Sequence, residues 1–258
     1  MEIGILIVGV LAGIMSGLFG IGGGIVMVPT LIAIFGMNML DANATSLAAM
    51  LLPVGIFGVI NYYKAGYINL KDSLWIALGL FGGSFFGAEL AVSLDVNLLA
   101  KLYAAYLLWI AVGYFDIPSY FSRNKNKNKT EGIQPKTQRA IWQFILIGVL
   151  AGVIAGMFGK GGGLVIVPIL IKYFDYDPKA ASATSLAALQ LPVGLPSVIV
   201  YAEDGHLNFF YAGLMAFGIL VGVFFGSKLA LNLPSAIFKK VYAVFLLGVA
   251  VYMVVKYI

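Results

Sequence analysis

The chain has 258 residues, a net charge of +5, no cysteine and one histidine, and 61% of it is hydrophobic against 10% charged. Disulfides, thiol chemistry and cysteine- or histidine-built metal sites are excluded, and a nucleic-acid binder is not expected despite the pI near 9.2, because the basic residues fall mainly between apolar runs. Several apolar runs of about 20 residues, each long enough to cross a lipid bilayer, predict an all-α polytopic protein of the cytoplasmic membrane.

The first apolar run, 3–35, is interrupted by Gly17-Leu18-Phe19-Gly20-Ile21-Gly22-Gly23-Gly24. Its N-terminal part lacks the basic flank of a signal peptide and is expected to remain in the mature chain. Five glycines in eight residues break a helix, and lipid has no water to hydrogen-bond the freed backbone groups, so the break must face protein or a wet cavity. An apolar run resumes at Gly24, and the unpaired N–H groups of that new helix make an anion site. The two pieces, about 22 and 18 Å long as helices, are each too short for a bilayer core of roughly 30 Å. They either stack into one kinked crossing or fold back as a hairpin.

Three further helices are predicted at 42–63, 73–93 and 96–116. The first carries Ala44-Thr45-Ser46-Leu47-Ala48-Ala49 and, as a kink or hinge, Pro53. Thr45 and Ser46 are candidates to donate to a substrate or, alternatively, to tie helices together. Glycines four apart, such as Gly79 with Gly83, read as close helix contacts. Residues 117–139 form a basic polar linker with no apolar surface to bury.

The second half repeats the first at a constant offset of 139 residues, with helices predicted at 140–174 (again broken), 181–202, 207–231 and 234–257. Its glycine run is Gly156-Met157-Phe158-Gly159-Lys160-Gly161-Gly162-Gly163, followed by Pro168, Ala183-Thr184-Ser185-Leu186-Ala187-Ala188 and Pro192-Val193-Gly194. Two repeats, 1–116 and 140–258, therefore flank the linker. The lysine-containing run is no nucleotide loop, since no Ser or Thr follows Lys160. Where the copies differ, Lys160 replaces Ile21 and Gln190 replaces Leu51. A lysine at membrane depth is costly without a partner, and an anionic substrate would supply one.

Charge decides between the two forms of the broken element. If each folds back, the repeats are inverted, about 8 transmembrane segments result, and 13 basic residues lie on the linker's side against 2 opposite, with Lys160 set aside; a single kinked crossing gives 9 against 6. An inverted repeat with a cytoplasmic linker is preferred, the architecture of secondary transporters whose substrates sit between the repeats. The expected substrate site comprises Gly22, Gly23, Gly24, Thr45, Ser46, Lys160, Gly161, Gly162, Gly163, Thr184, Ser185 and Gln190, with breaks at Pro53 and Pro192 and a small anion as ligand. No nucleophile, acid–base pair, cofactor site or metal cluster points to an enzyme.

The paired glycine runs followed by Pro29 and Pro168, the paired Ala-Thr-Ser-Leu-Ala-Ala segments and the proline-glycine breaks resemble the sulfite exporter TauE/SafE family of membrane permeases. The resemblance covers nearly the whole chain outside the linker. It implies movement of sulfite, sulfoacetate or other organosulfonates across the cytoplasmic membrane.

Overall fold

The computed structural model describes residues 2–20, 22–106, 140–159, 162–232 and 251. The described residues are all-helical: α1 Glu2–Phe19, α2 Gly24–Phe35, α3 Met39–Ala49, α4 Ile56–Lys64, α5 Leu70–Ser93, α6 at 96–106, α7 Ile141–Phe158, α8 Gly163–Tyr173, α9 Pro178–Ala188, α10 Leu195–Glu203 and α11 Phe209–Asn232. The linker, the rest of the helix predicted at 96–116 and the helix predicted at 234–257 lie outside the described residues.

Four helices, α1, α5, α7 and α11, are long and apolar enough to span a membrane. They pair across the repeats, α1 with α11 and α5 with α7, through facing glycine stripes. A Cβ at Gly9, Gly13 or Gly17 would lie 2.4–2.6 Å from the backbone carbonyl oxygens of Met215, Ile219 and Val223, and one at Gly79, Gly83 or Gly87 would lie 2.1–2.3 Å from those of Ile145, Val149 and Val153. Only hydrogen fits at such a contact. In lipid, where apolar burial gives no drive, this closeness supplies the dispersion contact that holds the helices together. Gly17 and Gly156, the first glycines of the two runs, thus end packing stripes inside α1 and α7.

The broken elements fold back. A Cβ at Gly4 would meet the Phe35 ring at 2.9 Å, and one at Gly23 would sit 3.0 Å from the Ala12 oxygen, so α2 returns along α1. Gly162 sits against Ala151 in the equivalent place, so α8 returns along α7. The glycine-rich segment makes this reversal with Gly20, Gly22 and Gly23 all in the left-handed region, at φ 66°, 78° and 75°.

The repeats are inverted, and the contacts prove the direction. Residue numbers rise together along α1 and α11, and along α5 and α7, so each pair is parallel. The α3–α4 segment climbs alongside α11, from Asp41, whose carboxylate meets His206 just before α11 at 2.7 Å, to Asn61, which donates to Ser227 near its end at 2.8 Å. Hence α5 starts where α11 finishes and runs opposite to α1. The start of α9 is at that same end, since Lys179 donates to the Leu231 carbonyl at 3.1 Å.

The segments predicted as single helices at 42–63 and 181–202 are each two short helices, separated at 50–55 and 189–194. Pro53 and Pro192 break rather than kink them. Each proline has no N–H to give, and the following residue closes a tight turn, Val54 N–H to Leu52 and Val193 N–H to Leu191, both at 2.6 Å.

Candidate functional site

Eight reorienting ends come together at the middle of the molecule: the hairpin tips after α1 and α7, the breaks after α3 and α9, and the starts of α2, α4, α8 and α10. They line a mostly apolar cavity whose wall includes Ser16, Gly22, Gly55, Ser84, Gly162, Gln190 and Gly194. Leu47 and Met50 face it from one repeat and their equivalents Leu186 and Leu189 from the other.

The C-termini at the two hairpin tips, those of α1 and α7, are hydrogen-bonded by side chains. Tyr62 donates to the Gly17 carbonyl at 3.0 Å and Ser185 to Gly20 at 2.8 Å. In the other repeat Tyr201 donates to Gly156 at 2.9 Å, Asn43 to Met157 at 3.1 Å and Ser46 to Gly159 at 2.7 Å. Each tip is therefore held by the opposite repeat's short helix, α1 by α9 and α7 by α3. The fit is tight, because a Cβ on Gly20 would lie 2.2 Å from the Ser182 oxygen and one on Gly159 would lie 2.5 Å from Asn43 Cα.

The helix N-termini carry no side-chain cap, although the first N–H of α4 and of α10 goes to a proline carbonyl, Ile56 to Pro53 at 3.0 Å and Leu195 to Pro192 at 3.1 Å, and Pro196 brings no N–H to α10. The cap residues of α2, α4, α8 and α10 are Gly23, Gly55, Gly162 and Gly194, and none offers a side-chain acceptor. Each start carries about half a positive charge. Four such starts, with the carbonyls of the α1 and α7 tips taken by hydroxyl and amide donors, are an arrangement suited to a small anion at the backbone N–H groups that stay free.

The predicted site residues divide as follows. Gly22 and Gly162 line the cavity, Gly23 and Gly162 cap helices, and Gly24 and Gly163 begin them, both buried. Ser46 and Ser185, fully buried, spend their protons on backbone carbonyls. Thr45 is buried with its hydroxyl unpartnered among the described residues, and Thr184 accepts a long 3.5 Å contact from the Asn69 N–H. Gln190 lines the cavity, giving its amide N–H to Leu186 at 3.0 Å and taking the Gly55 N–H at 2.8 Å. Pro53 and Pro192 sit in the breaks. Lys160 and Gly161 lie outside the described residues.

Sequence reasoning missed Gly55, Gly194 and Ser16. The signal for the glycines was present in the duplicated Pro-Val-Gly, where attention to the proline hid the cap that follows it. Ser16 carried no signal, being one small residue in an apolar helix.

Inverted repeats, discontinuous helices and open N-termini around a central chamber are the parts of a carrier, and similarity in sequence agrees. A model of the family described as sulfite exporter TauE/SafE matches residues 5–253. The chain belongs to the sulfite exporter TauE/SafE family. A probable membrane transporter protein of Methanocaldococcus jannaschii is 31% identical over 92% of this chain and 87% of its own. Another, from Haemophilus influenzae, is 29% identical over 97% of both chains, and a third, from Bacillus subtilis, is 26% identical over 87% and 85%. No solved structure matches the chain. This TauE/SafE member is a membrane transporter, a permease rather than an enzyme.

Proposed function

We propose that this permease carries small oxyanions, sulfite, sulfoacetate or related organosulfonates, outward across the cytoplasmic membrane. The observation behind this reading is the convergence of four glycine-capped helix N-termini on one cavity. A cation carrier of the same shape needs carboxylates there, and the described wall has none.

Orientation supports the direction. Lys64, Lys71, Lys172, Lys179 and Lys228 gather with Asp72, Asp175 and Asp177 at the end where α5 begins, a net positive end, while Glu2, Asp41, Glu89, Asp95, Glu203 and Asp204 gather at the other, beside Lys101. The basic end is the cytoplasmic one by the positive-inside rule. A monoanion leaving a cell that is negative inside gains about 2.3 kcal/mol per 100 mV, and import climbs the same slope. In this reading Lys160, next in sequence after the α7 tip, supplies the full positive charge that sets the preference for anions.

Proteoliposomes preloaded with sulfite, sulfoacetate, sulfate or chloride test the reading. Efflux of at least one sulfur oxyanion, accelerated by an inside-negative potential and nearly abolished in Lys160→Glu, is the expected result. Potential-independent flux would overturn electrogenic export, unchanged kinetics in Lys160→Glu would remove that lysine from the site, and transport of cations alone would overturn the whole assignment.

A further inference from the structure

Among the polar side chains on the described cavity wall, Ser16 differs from the rest. Ser84 donates to the Val193 carbonyl at 2.8 Å, and both ends of the Gln190 amide are engaged. Ser16, on the last turn but one of α1 and only 2% exposed, makes no side-chain hydrogen bond among the described residues, although a helical serine ordinarily returns its proton to its own backbone. Its hydroxyl is an unused donor inside a chamber already surrounded by helix N-termini.

The second repeat has no counterpart, because the equivalent position is Ala155, which lines the same cavity. The asymmetry extends to the caps. Gln190 takes the Gly55 N–H, whereas its equivalent, Leu51, has no acceptor for Gly194, whose N–H has no partner among the described residues. A two-fold chamber has thus become chemically one-sided.

We infer that Ser16 is a substrate-binding residue whose Oγ–H donates to an oxygen of the transported oxyanion, so that the substrate is held asymmetrically between two nearly symmetric repeats. This rests on the anion-carrier reading above. A hydroxyl donor favours ligands with a localised oxygen acceptor, and a hydrogen bond to a charged oxygen is of the strong class. Because the hydroxyl has no partner among the described residues, removing it takes from the fold no hydrogen bond that the structure shows.

The test is sulfite efflux from proteoliposomes containing wild-type protein, Ser16→Ala, Ser16→Cys, and Ser16→Ala combined with Ala155→Ser. Expected for Ser16→Ala are a KM raised about tenfold, a maximal rate within about twofold, and an unchanged melting temperature in detergent. The cysteine variant, with its weaker donor, should fall between, and the added serine at 155 should recover part of the loss. A KM for Ser16→Ala equal to wild type overturns the assignment while leaving the carrier reading intact. Absence of sulfur-oxyanion transport by the wild type overturns the carrier reading itself. A Ser16→Ala protein whose melting temperature falls as its KM rises would show a structural serine, and that too overturns the inference.

Discussion

Helix starts at the two ends of the molecule are built differently from helix starts at its centre. At the ends, α3 is capped by the side chain of Asn38, α5 by Asn69, α6 by Asp95, α9 by Asp177 and α11 by Asn208, each accepting a backbone N–H at 2.8–3.3 Å. Among the described starts at the ends, α7 alone follows an alanine, Ala140. At the centre, α2, α4, α8 and α10 all follow glycine and have no side-chain cap. Chance would not sort the residues this way in both repeats. An Asn or Asp cap satisfies an orphan N–H permanently and is better than alanine by about 1 kcal/mol but better than glycine by only a few tenths, so glycine at the centre omits the side-chain acceptor at little cost in stability. Among the described residues no side chain closes the helix starts at the centre, whereas side chains close those at the ends.

The comparison breaks most visibly at the tips. Gly20→Val forces a branched side chain into the left-handed region and against the Ser182 backbone, so a loss of about 3 kcal/mol or more is expected, measured as failure to yield a monodisperse protein in detergent. A well-folded Gly20→Val protein would mean that the tip is not clamped by α9. A smaller effect is expected at the ends. Asn69→Ala should lower stability by about 1 kcal/mol, read from the melting temperature, with sulfite efflux unchanged once equal amounts of folded protein are compared. If efflux falls far more than stability, the ends are not merely structural.

Much of this was legible from residues alone. A constant offset of 139 residues exposed the repeats, and three successive glycines in each located the discontinuities. The charge distribution favoured the inverted hairpin form that the structure has. Two things were not legible. The stripe Gly9, Gly13, Gly17 says that a helix is packed closely, but nothing local says that its partner is α11, some 200 residues later, rather than a neighbour in its own repeat. The extent of α1 also escaped, since Gly17 read as the first residue of a loop. Glycine disfavours a helix interior by about 1 kcal/mol, and here the close approach to Val223 and Gly226 offsets that cost. Ser46 and Ser185, equally suited by sequence to a ligand or to a neighbour, hold the opposite repeat's hairpin tip by their hydroxyls because the fold brings an unsatisfied helix C-terminus within reach.

The most direct measurement compares two substitutions at Gly194. A Cβ there meets nothing closer than Leu47 Cδ2 at 3.6 Å, so Asn and Asp, nearly identical in shape, are both accommodated. Asn fills the space without charge, whereas Asp places a carboxylate where the account puts the substrate. Sulfite efflux from proteoliposomes should be reduced severalfold in Gly194→Asn and fall by more than a hundredfold in Gly194→Asp, with both proteins folded. Equal efflux in the two variants would contradict the claim that open helix N-termini at the centre are the anion site.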